Sequence, residues 1–402
     1  ARFFTSPFVY RRQDGAFALE LPAERAGGAG RGNVRPELLV EIGEASASAG
    51  GGAQSRLTNG AAALIEAGSR RFEILAPGGE FHVPLPPNAG TIALNAGTVR
   101  AFVLSRRDLP LFPLPLGADP GIILDLPPES WRDPRYEVFC WESFPSLLVF
   151  DTADYAVQDR LFKRLAFFTE KAGFRGRLAA DEEIAGLHGW NAHDYRAEDL
   201  ARFFDTARKS NFPLLAEERE LEKILAASGI IRLSAGGISA GEGGLVSISR
   251  ESPAYLRSRF MAHEAFHGLF FIDEDFRNFS RGRWEKFPPR AKRFLISFFD
   301  FQKYDTGDDY LTVNEFMAHI LQQPVSRAGV YFSETIPNNM IRVSPRRRAA
   351  LPEEGEVSAE GNLSWPEFAA IFTAEAEAFS AYVNRRWGLD AGRVWKISVR
   401  DS

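Results

Sequence analysis

The feature that most constrains this chain is an H-E-x-x-H segment, His263-Glu264-Ala265-Phe266-His267, inside a long apolar run. Successive residues of an α-helix advance by about 100°, so side chains four positions apart differ by roughly 40° and project from one face. Both imidazoles can therefore reach one metal ion, with Glu264 close enough to take a proton from a water on that ion. Histidine is scarce, at 6 in 402 residues, which makes this spacing informative.

The sequence before the motif predicts where its helix begins. Residues 243–250 alternate apolar and polar side chains, which is typical of a β-strand. Ser252 and Pro253 follow as an N-cap and a proline in the first turn, so we expect a helix from about residue 253 to 272. The two histidines then lie past the middle of this helix.

Two residues compete for the place of a third ligand, because a catalytic zinc site usually has three protein ligands and one open position. Asp273 lies six residues after His267, the position of the last ligand in metzincin peptidases. That arrangement needs a glycine at position 270 to turn the chain back, and Phe270 instead predicts that the helix continues. Glu315 is the other candidate.

The segment 314–319, Asn-Glu-Phe-Met-Ala-His, resembles the second ligand helix of the gluzincins, the thermolysin-like clan of zincin metallopeptidases. The gluzincin pattern is Asn-Glu with a carboxylate four residues later. The resemblance implies that His263, His267 and Glu315 bind one Zn²⁺ per chain and that Glu264 is the catalytic general base. The activity it implies is zinc-dependent hydrolysis of peptide bonds.

Other positions acquire expected roles from the same resemblance. His319 occupies the place of the family's carboxylate, so it is either a further metal ligand or a partner that orients one, with Asn314 beside the ligands. Tyr310 is the first candidate for a catalytic hydrogen-bond donor to the oxyanion, and Tyr304 is a weaker one. The strand at 244–250 is expected to be the edge strand that pairs with an extended peptide substrate.

A polar loop at residues 188–195 has two interpretations. In the first, it is a hydrogen-bonded turn in which Asp194 caps the following helix, and we favour this interpretation. In the second, the loop is a wall of the substrate cleft. On that interpretation the candidate substrate-binding residues are His188, Trp190 and His193 of the loop. Ser247, in the strand that precedes the metal helix, is a further candidate.

The order of elements predicts a multidomain protein. Residues 1–118 carry short alternating segments separated by turn residues, at 17–21, 37–42, 61–66, 71–75, 80–85, 91–94 and 99–104, which predict an all-β sandwich that serves as an accessory domain. A proline-rich linker at 109–117 ends it. Residues 119–250 are expected to form the upper α+β part of a zincin-like metallopeptidase domain, and residues 251–402 a mostly helical lower part that carries the metal helices.

Composition excludes several classes of protein. The formal net charge of −5 argues against a nucleic-acid partner, and we interpret the basic cluster at 346–348 as a solvated loop. No apolar run is long enough for a transmembrane segment. Cys140 is the single cysteine, so a Cys-based metal site is excluded.

We expect an extracytoplasmic location, periplasmic, surface or secreted, and a peptide or protein substrate that includes glycoproteins.

Two other functions remain compatible with these patterns. The first is a metal-free binding protein or adhesin, in which the zincin-like scaffold is degenerate. The second keeps the metal but hydrolyses another bond or uses the ion only structurally. The glutamate between the histidines favours catalysis, because a closed structural site has no use for a base.

Overall fold

The computed structural model describes residues 8–11, 17–20, 34–43, 61–76, 78–86, 89, 91–95, 99–343 and 365–401. The fold is mixed α/β, with several sheets and a helical C-terminal part. The chain divides into two compact units, one formed by Ala1–Pro127 with Trp395–Ser402 and the other by Pro128–Val394. The basic cluster at 346–348 lies outside the described residues.

The first unit consists mainly of two antiparallel sheets, one with the strand order β1-β2-β7-β4-β5-β16 and one with the order β6-β3-β8. Its elements are β1 Phe8–Arg11, β2 Phe17–Glu20, β3 Val34–Ile42, β4 Ala63–Ala67, β5 Arg70–Ile74, β6 Gly79–Pro84, β7 Thr91–Asn95, β8 Val99–Asp108, β9 Leu116–Ala118, helix α1 Pro120–Asp125 and β16 Ile397–Asp401. Each of the seven segments expected to be strands overlaps one of these strands. The face-to-face packing of a sandwich stays a prediction.

The C-terminal strand belongs to this first unit. The sequence predicts that residues 251–402 form a mostly helical lower part. The strand β16 at the end of this range instead pairs antiparallel with β5, with Ile397 opposite Ile74. Alternation along 394–399 indicates a strand but contains no information about its partner, since any strand edge of matching length offers the same backbone groups. The boundary between the units also follows α1, later than the end of the proline-rich linker.

The second unit combines a small sheet, a separate two-stranded sheet and the remaining helices. Its strands are β10 Tyr136–Trp141, β11 Phe144–Thr152, β12 His193–Arg196, β13 Ile231–Ser234, β14 Gly237–Ala240 and β15 Gly244–Ser249. Its α-helices are α2 Tyr155–Thr169, α3 Asp181–Ile184, α4 Ala197–Lys209, α5 Ala216–Ala227, α6 Ala254–Ile272, α7 Glu274–Lys286, α8 Pro289–Phe301, α9 Asp309–Leu321, α10 Val325–Val330, α11 Ile336–Val343 and α12 Trp365–Trp387. A π-helical turn at Tyr331–Thr335 links α10 to α11.

The position of β15 corrects one expectation. This strand is parallel to β11 on one side and antiparallel to β12 on the other, so it is an interior strand and not the edge. All six of its residues are buried. In this unit β12 ends the series β12-β15-β11-β10, and its register places Asp194 opposite Val246. Pairing of a substrate strand therefore requires an end of the sheet, such as the outer side of β12.

Helix α6 carries the H-E-x-x-H motif and spans Ala254–Ile272, close to the predicted range. Its N-cap is Pro253 without a side-chain hydrogen bond, so the prediction that Ser252 caps it is wrong. The helix packs against β15, β12, α7 and α9. Because neighbours surround it, all residues from 261 to 270 are buried, and the sequence there is apolar except at the motif itself.

A buried ion pair fixes the start of α6 against the sheet. Asp151, fully buried on β11, accepts hydrogen bonds from Arg257 Nη1 at 2.8 Å and Nη2 at 3.0 Å. Arg250 donates to the same carboxylate through Nε at 2.8 Å. Two cations on one buried carboxylate satisfy its lone pairs, which a buried charge requires. The register between sheet and motif helix therefore depends on this contact.

Helix α9 brings the second half of the site. Asp308 caps it by accepting from the backbone N–H of Leu311. Phe316 anchors α9, since its ring packs on Phe287 and Phe379 at centroid distances of 5.0 and 5.7 Å. No helix among the described residues is both long and apolar enough to cross a membrane.

Candidate metal centre

Three buried side chains from two helices converge between α6 and α9. His263 Nε2 and His267 Nε2 are 3.1 Å apart. Glu315 reaches both, with Oε2 at 3.7 Å from His263 Nε2 and Oε1 at 3.7 Å from His267 Nε2. The structure thus brings together the three residues that the sequence proposed as ligands, and they form a group that can hold a metal ion.

The spacing of these atoms fits one small cation. A tetrahedral ion with ligand nitrogens at about 2.0–2.1 Å separates two of them by roughly 3.3 Å, close to the observed distance between the two Nε2 atoms. Burial, with the neighbouring His267, lowers the pKa of His263 well below its usual value, so its lone pair is available to a metal. Burial raises the pKa of Glu315 well above its usual value, and the charges of Asp194 and Glu170 raise it further.

Glu264 points toward the same space but faces another carboxylate. Its oxygen, a carboxylate oxygen of Asp194 and a ring nitrogen of His267 lie within 4.8 Å of one another. Glu264 is 5% exposed, and its Oε2 has no hydrogen-bond partner among the described residues. Burial, together with the charges of Asp194 and Glu315, raises the pKa of Glu264 well above its usual range. Glu264 also shares a hydrogen bond with the Asp194 carboxyl group, and a buried carboxyl group beside the ligand set is suited to proton transfer.

Asp194 is the site residue that sequence reasoning missed. The favoured interpretation made it the cap of α4, but the N-cap of that helix is Arg196, without a side-chain hydrogen bond. In β12 the flanking residues His193 and Tyr195 are buried, so Asp194 projects from the opposite face of the strand, where its Oδ1 lies 3.9 Å from His267 Nε2. The two-residue alternation of 193–196 could have shown which side chains share a face, although not what that face meets.

His319 stands directly behind the ligands. Its Nε2 lies 3.7 Å from Glu315 Oε2, and its ring meets that of His263 edge to face at 4.8 Å. On the other side its Nδ1 lies 2.9 Å from Gln322 Nε2 and 3.2 Å from the hydroxyl of Tyr331. With Nδ1 accepting from the Gln322 amide, Nε2 carries the proton, and it faces Glu315 beyond hydrogen-bond distance. This arrangement favours the orienting role over direct ligation.

The two candidate tyrosines occupy different surroundings. Tyr304 hydrogen-bonds with Glu315, an interaction that lowers the pKa of Glu315 against the larger effect of burial. The ring of Tyr310 instead packs edge to face on Phe270 at 5.2 Å, with the Arg196 guanidinium 4.4 Å from its centroid. Tyr304, and not the expected Tyr310, is therefore the tyrosine that contacts the ligand set. A periodic pattern could not distinguish them, because Tyr304 lies in the loop before α9.

An aromatic wall beside the cluster is formed by Trp190, Tyr304 and Lys171. The rings of Trp190 and Tyr304 stack at 5.1 Å, and Lys171 Nζ lies 3.0 Å from the Trp190 centroid. Trp190 Nε1 donates to Glu170 Oε2 at 2.8 Å. Burial, followed by the charge of Asp194, raises the pKa of Glu170 to about 8. Glu170 is a further buried carboxylate that the sequence analysis did not identify.

The remaining expected site residues lie elsewhere. His193 Nδ1 and Ser247 Oγ are 2.9 Å apart in the interior, where Ser247 also accepts from Gln158, so both are positioned to hold β12 on β15. His188 is exposed in the loop before β12. Asn314 is buried, and in the described part of the chain it makes no hydrogen bond to the ligands.

Asp273, the alternative third ligand, is turned away from the cluster. It is the C-cap of α6 and the N-cap of α7, where its side chain accepts from the backbone N–H of Phe276 and pairs with Arg386. The helix does continue through Phe270, as expected from the sequence, so Asp273 lies beyond the turn that follows. Glu315 is the carboxylate that reaches both histidines.

Comparison of the chain with protein-family models, with curated proteins and with solved structures finds no match.

Proposed function

We propose that this protein is a zinc-dependent peptidase of the gluzincin type, with a zincin-like catalytic domain formed by its second unit. The observation that carries the proposal is the convergence of His263, His267 and Glu315 on one point, with the buried carboxyl group of Glu264 beside them. Three protein ligands leave a position open, as catalytic zinc sites require. A closed structural site would have a fourth protein ligand and no need for the neighbouring base.

The chain's own residues divide the chemistry among them. When bound, a zinc ion would supply Lewis-acid polarisation of a carbonyl and would lower the pKa of a coordinated water. Glu264 takes the proton of the attacking water on its unpaired oxygen and delivers it to the departing amine. Tyr304 orients Glu315 through a hydrogen bond, and the His319 ring lies next to the same carboxylate.

Substrate alignment is assigned to β12 in place of β15. An extended peptide can add to the outer side of β12 through main-chain hydrogen bonds, which hold a substrate without selecting every side chain. Asp194 on this strand lies next to Glu264, so a peptide paired there runs past the proposed base. An extracytoplasmic location and a peptide or protein substrate remain predictions from the sequence.

The proposal is tested by peptide hydrolysis with Glu264→Gln. This substitution removes the base but none of the three ligands, so we expect one tightly bound zinc ion and a kcat lower by about 10²–10⁴-fold, the usual contribution of a general base. A mixed peptide library read by mass spectrometry supplies the activity, and elemental analysis supplies the zinc content. Near-native turnover of Glu264→Gln contradicts the mechanism, and wild-type protein that binds no stoichiometric zinc supports the binding-protein alternative.

A further inference from the structure

The aromatic wall beside the candidate metal centre contains a cation, Lys171, two residues after the end of α2. Lys171 is 8% exposed, and its Nζ lies 3.0 Å from the centroid of the Trp190 ring. In the described part of the chain, this ammonium has no hydrogen-bond acceptor and no carboxylate at ion-pair distance. An ammonium group has three N–H donors, and a lysine that is nine-tenths buried normally has acceptors for them.

The neighbouring carboxylate of Glu170 is held by other groups. Trp190 Nε1 donates to Glu170 Oε2 at 2.8 Å, and the hydroxyl of Thr169 lies 3.4 Å from Oε1. Burial lowers the pKa of Lys171 to about 8, and the charge of Glu170 opposes this effect without a direct bond between the two groups. A buried ammonium without an acceptor is suited to receive an anionic group of a ligand.

Lys171 also lies within reach of the centre where the chemistry is proposed. Trp190 stacks on Tyr304 at 5.1 Å, and Tyr304 hydrogen-bonds with the ligand Glu315. Trp190 and Tyr304 are partly exposed, and Lys171 Nζ is not fully enclosed, so a bound peptide can touch this wall. These contacts place Lys171 Nζ on the order of 10 Å from the ligand set, a span that about three extended residues cover.

We propose that Lys171, with its ammonium on the Trp190 ring, binds a carboxylate group of the substrate a few residues from the scissile bond. The inference rests on the proposed function for the nature of the substrate, whereas the subsite itself rests on the unpaired cation. The carboxylate comes either from the C terminus of a short peptide or from an Asp or Glu side chain. Glu170, Asp194 and Glu264 make the cleft acidic, so an anionic group is favoured next to Lys171 and disfavoured beside these carboxylates.

The experiment compares peptide libraries that differ only in their carboxylates. One mixed library is made with free and with amidated C termini, and each form is made with Asp and Glu or with Asn and Gln in their place. Zinc-loaded wild type, Lys171→Met, Lys171→Arg and Lys163→Met are assayed below saturation, so that the cleavage rates read by mass spectrometry report kcat/KM. Lys163→Met is the matched control, because it removes the same charge from a lysine of α2 that already pairs with Asp159 at 3.3 Å.

We expect wild type and Lys163→Met to cleave a carboxylate-bearing library about 10–100-fold faster than its amide counterpart, the effect of a hydrogen bond between charged groups. Lys171→Met keeps an unbranched stem without the charge, so this ratio should fall to about 1, whereas Lys171→Arg should retain most of it. Binding is compared in Glu264→Gln, in which turnover is slow, and in its double variant with Lys171→Met. Retained peptides, read by mass spectrometry, should favour carboxylates in the first protein and not in the second.

The outcomes separate this subsite from the proposed function. Cleavage by wild type without preference between carboxylates and amides overturns the subsite and leaves the peptidase proposal intact, as does a preference that persists in Lys171→Met. A preference for free C termini identifies the terminal carboxylate as the ligand, and a preference for Asp and Glu identifies a side chain.

The binding comparison decides the subsite even without hydrolysis. If wild type cleaves no library, the proposed function fails, and equal retention of acids and amides by Glu264→Gln overturns the subsite as well. Circular dichroism identifies a Lys171→Met protein that does not fold, and in that case the wild-type libraries and Lys171→Gln decide.

Discussion

Replacement of Glu315 by Gln tests the centre most directly, because Gln keeps the shape of the side chain and removes only the charged ligand. Four-ligand structural zinc sites bind with about 10–16 kcal/mol, so one ligand contributes roughly 3 kcal/mol, or a factor of about 100 in affinity. Glu315 is 2% exposed and reaches both histidines, so no solvent ligand replaces it without rearrangement. We expect zinc affinity to fall by about that factor.

The assay is thermal unfolding with and without zinc. At a zinc concentration of about 100 Kd, binding stabilises the wild type by about 2.7 kcal/mol, and a 100-fold weaker Kd reduces this to about 0.4 kcal/mol. For a unit of this size the difference corresponds to a Tm shift of about 5–10 °C. Without zinc, Glu315→Gln should be at least as stable as wild type, because burial disfavours the ionised Glu315.

Glu264→Gln is the matched control for this measurement. It makes the same chemical change on a side chain buried to a similar degree, 5% against 2% exposed, but outside the His-His-Glu set. We expect it to keep the zinc-dependent stabilisation. Equal stabilisation in both variants, or equal loss in both, would refute the assignment of Glu315 as the third ligand.

Three further predictions address the fold and the neighbours of the site. Asp151→Asn leaves the buried Arg257 guanidinium without its carboxylate and should lower the free energy of unfolding by about 3–5 kcal/mol in urea titrations; a change below 1 kcal/mol contradicts the anchoring role. Burial lowers the pKa of His193 in the folded protein from the usual 6.5 to about 3. As the pH falls from 6.5 toward 3, the unfolded chain binds a proton at this residue and the folded chain does not, so wild type loses stability. His193→Asn should remove up to about 1.4 kcal/mol of this dependence per pH unit, and unchanged slopes in acid unfolding curves would argue against it. Tyr304→Phe should reduce activity or zinc affinity about 10–100-fold, as loss of a residue that orients a ligand does, while Tyr310→Phe should do neither; equal effects in peptide assays would show that the two are not distinguished.

The helices and strands were largely predictable because their signals are local. The Ser-Pro start signal and the apolar run predict the motif helix within one residue of its observed limits. The cap of α6 was not predictable in the same way. Ser252 is a good N-cap by residue type, yet the N-cap is Pro253, one residue later, and Ser252 Oγ lies 2.7 Å from the Tyr155 hydroxyl instead.

The site was predictable where it follows from spacing within one helix, and unpredictable where it depends on neighbours. Glu315 was found because it belongs to a recognisable Asn-Glu pair on a second helix. The sequence could not show that Tyr304, and not Tyr310, contacts the ligands. That contact depends on the path of the loop before α9, in which Tyr304 forms a backbone bridge with Lys171. A tyrosine's role is set by the atoms its hydroxyl meets, and those atoms are distant in sequence.

The sequence alone determined that two imidazoles and a glutamate share one region of a helix, because helical geometry follows from the backbone and needs no tertiary information. Tertiary structure decided which strand is the edge, where the C-terminal strand pairs, and that Asp194 faces Glu264. Strand order and the meeting of side chains on separate elements depend on packing, and a residue's neighbours across a sheet leave no mark in its own local pattern.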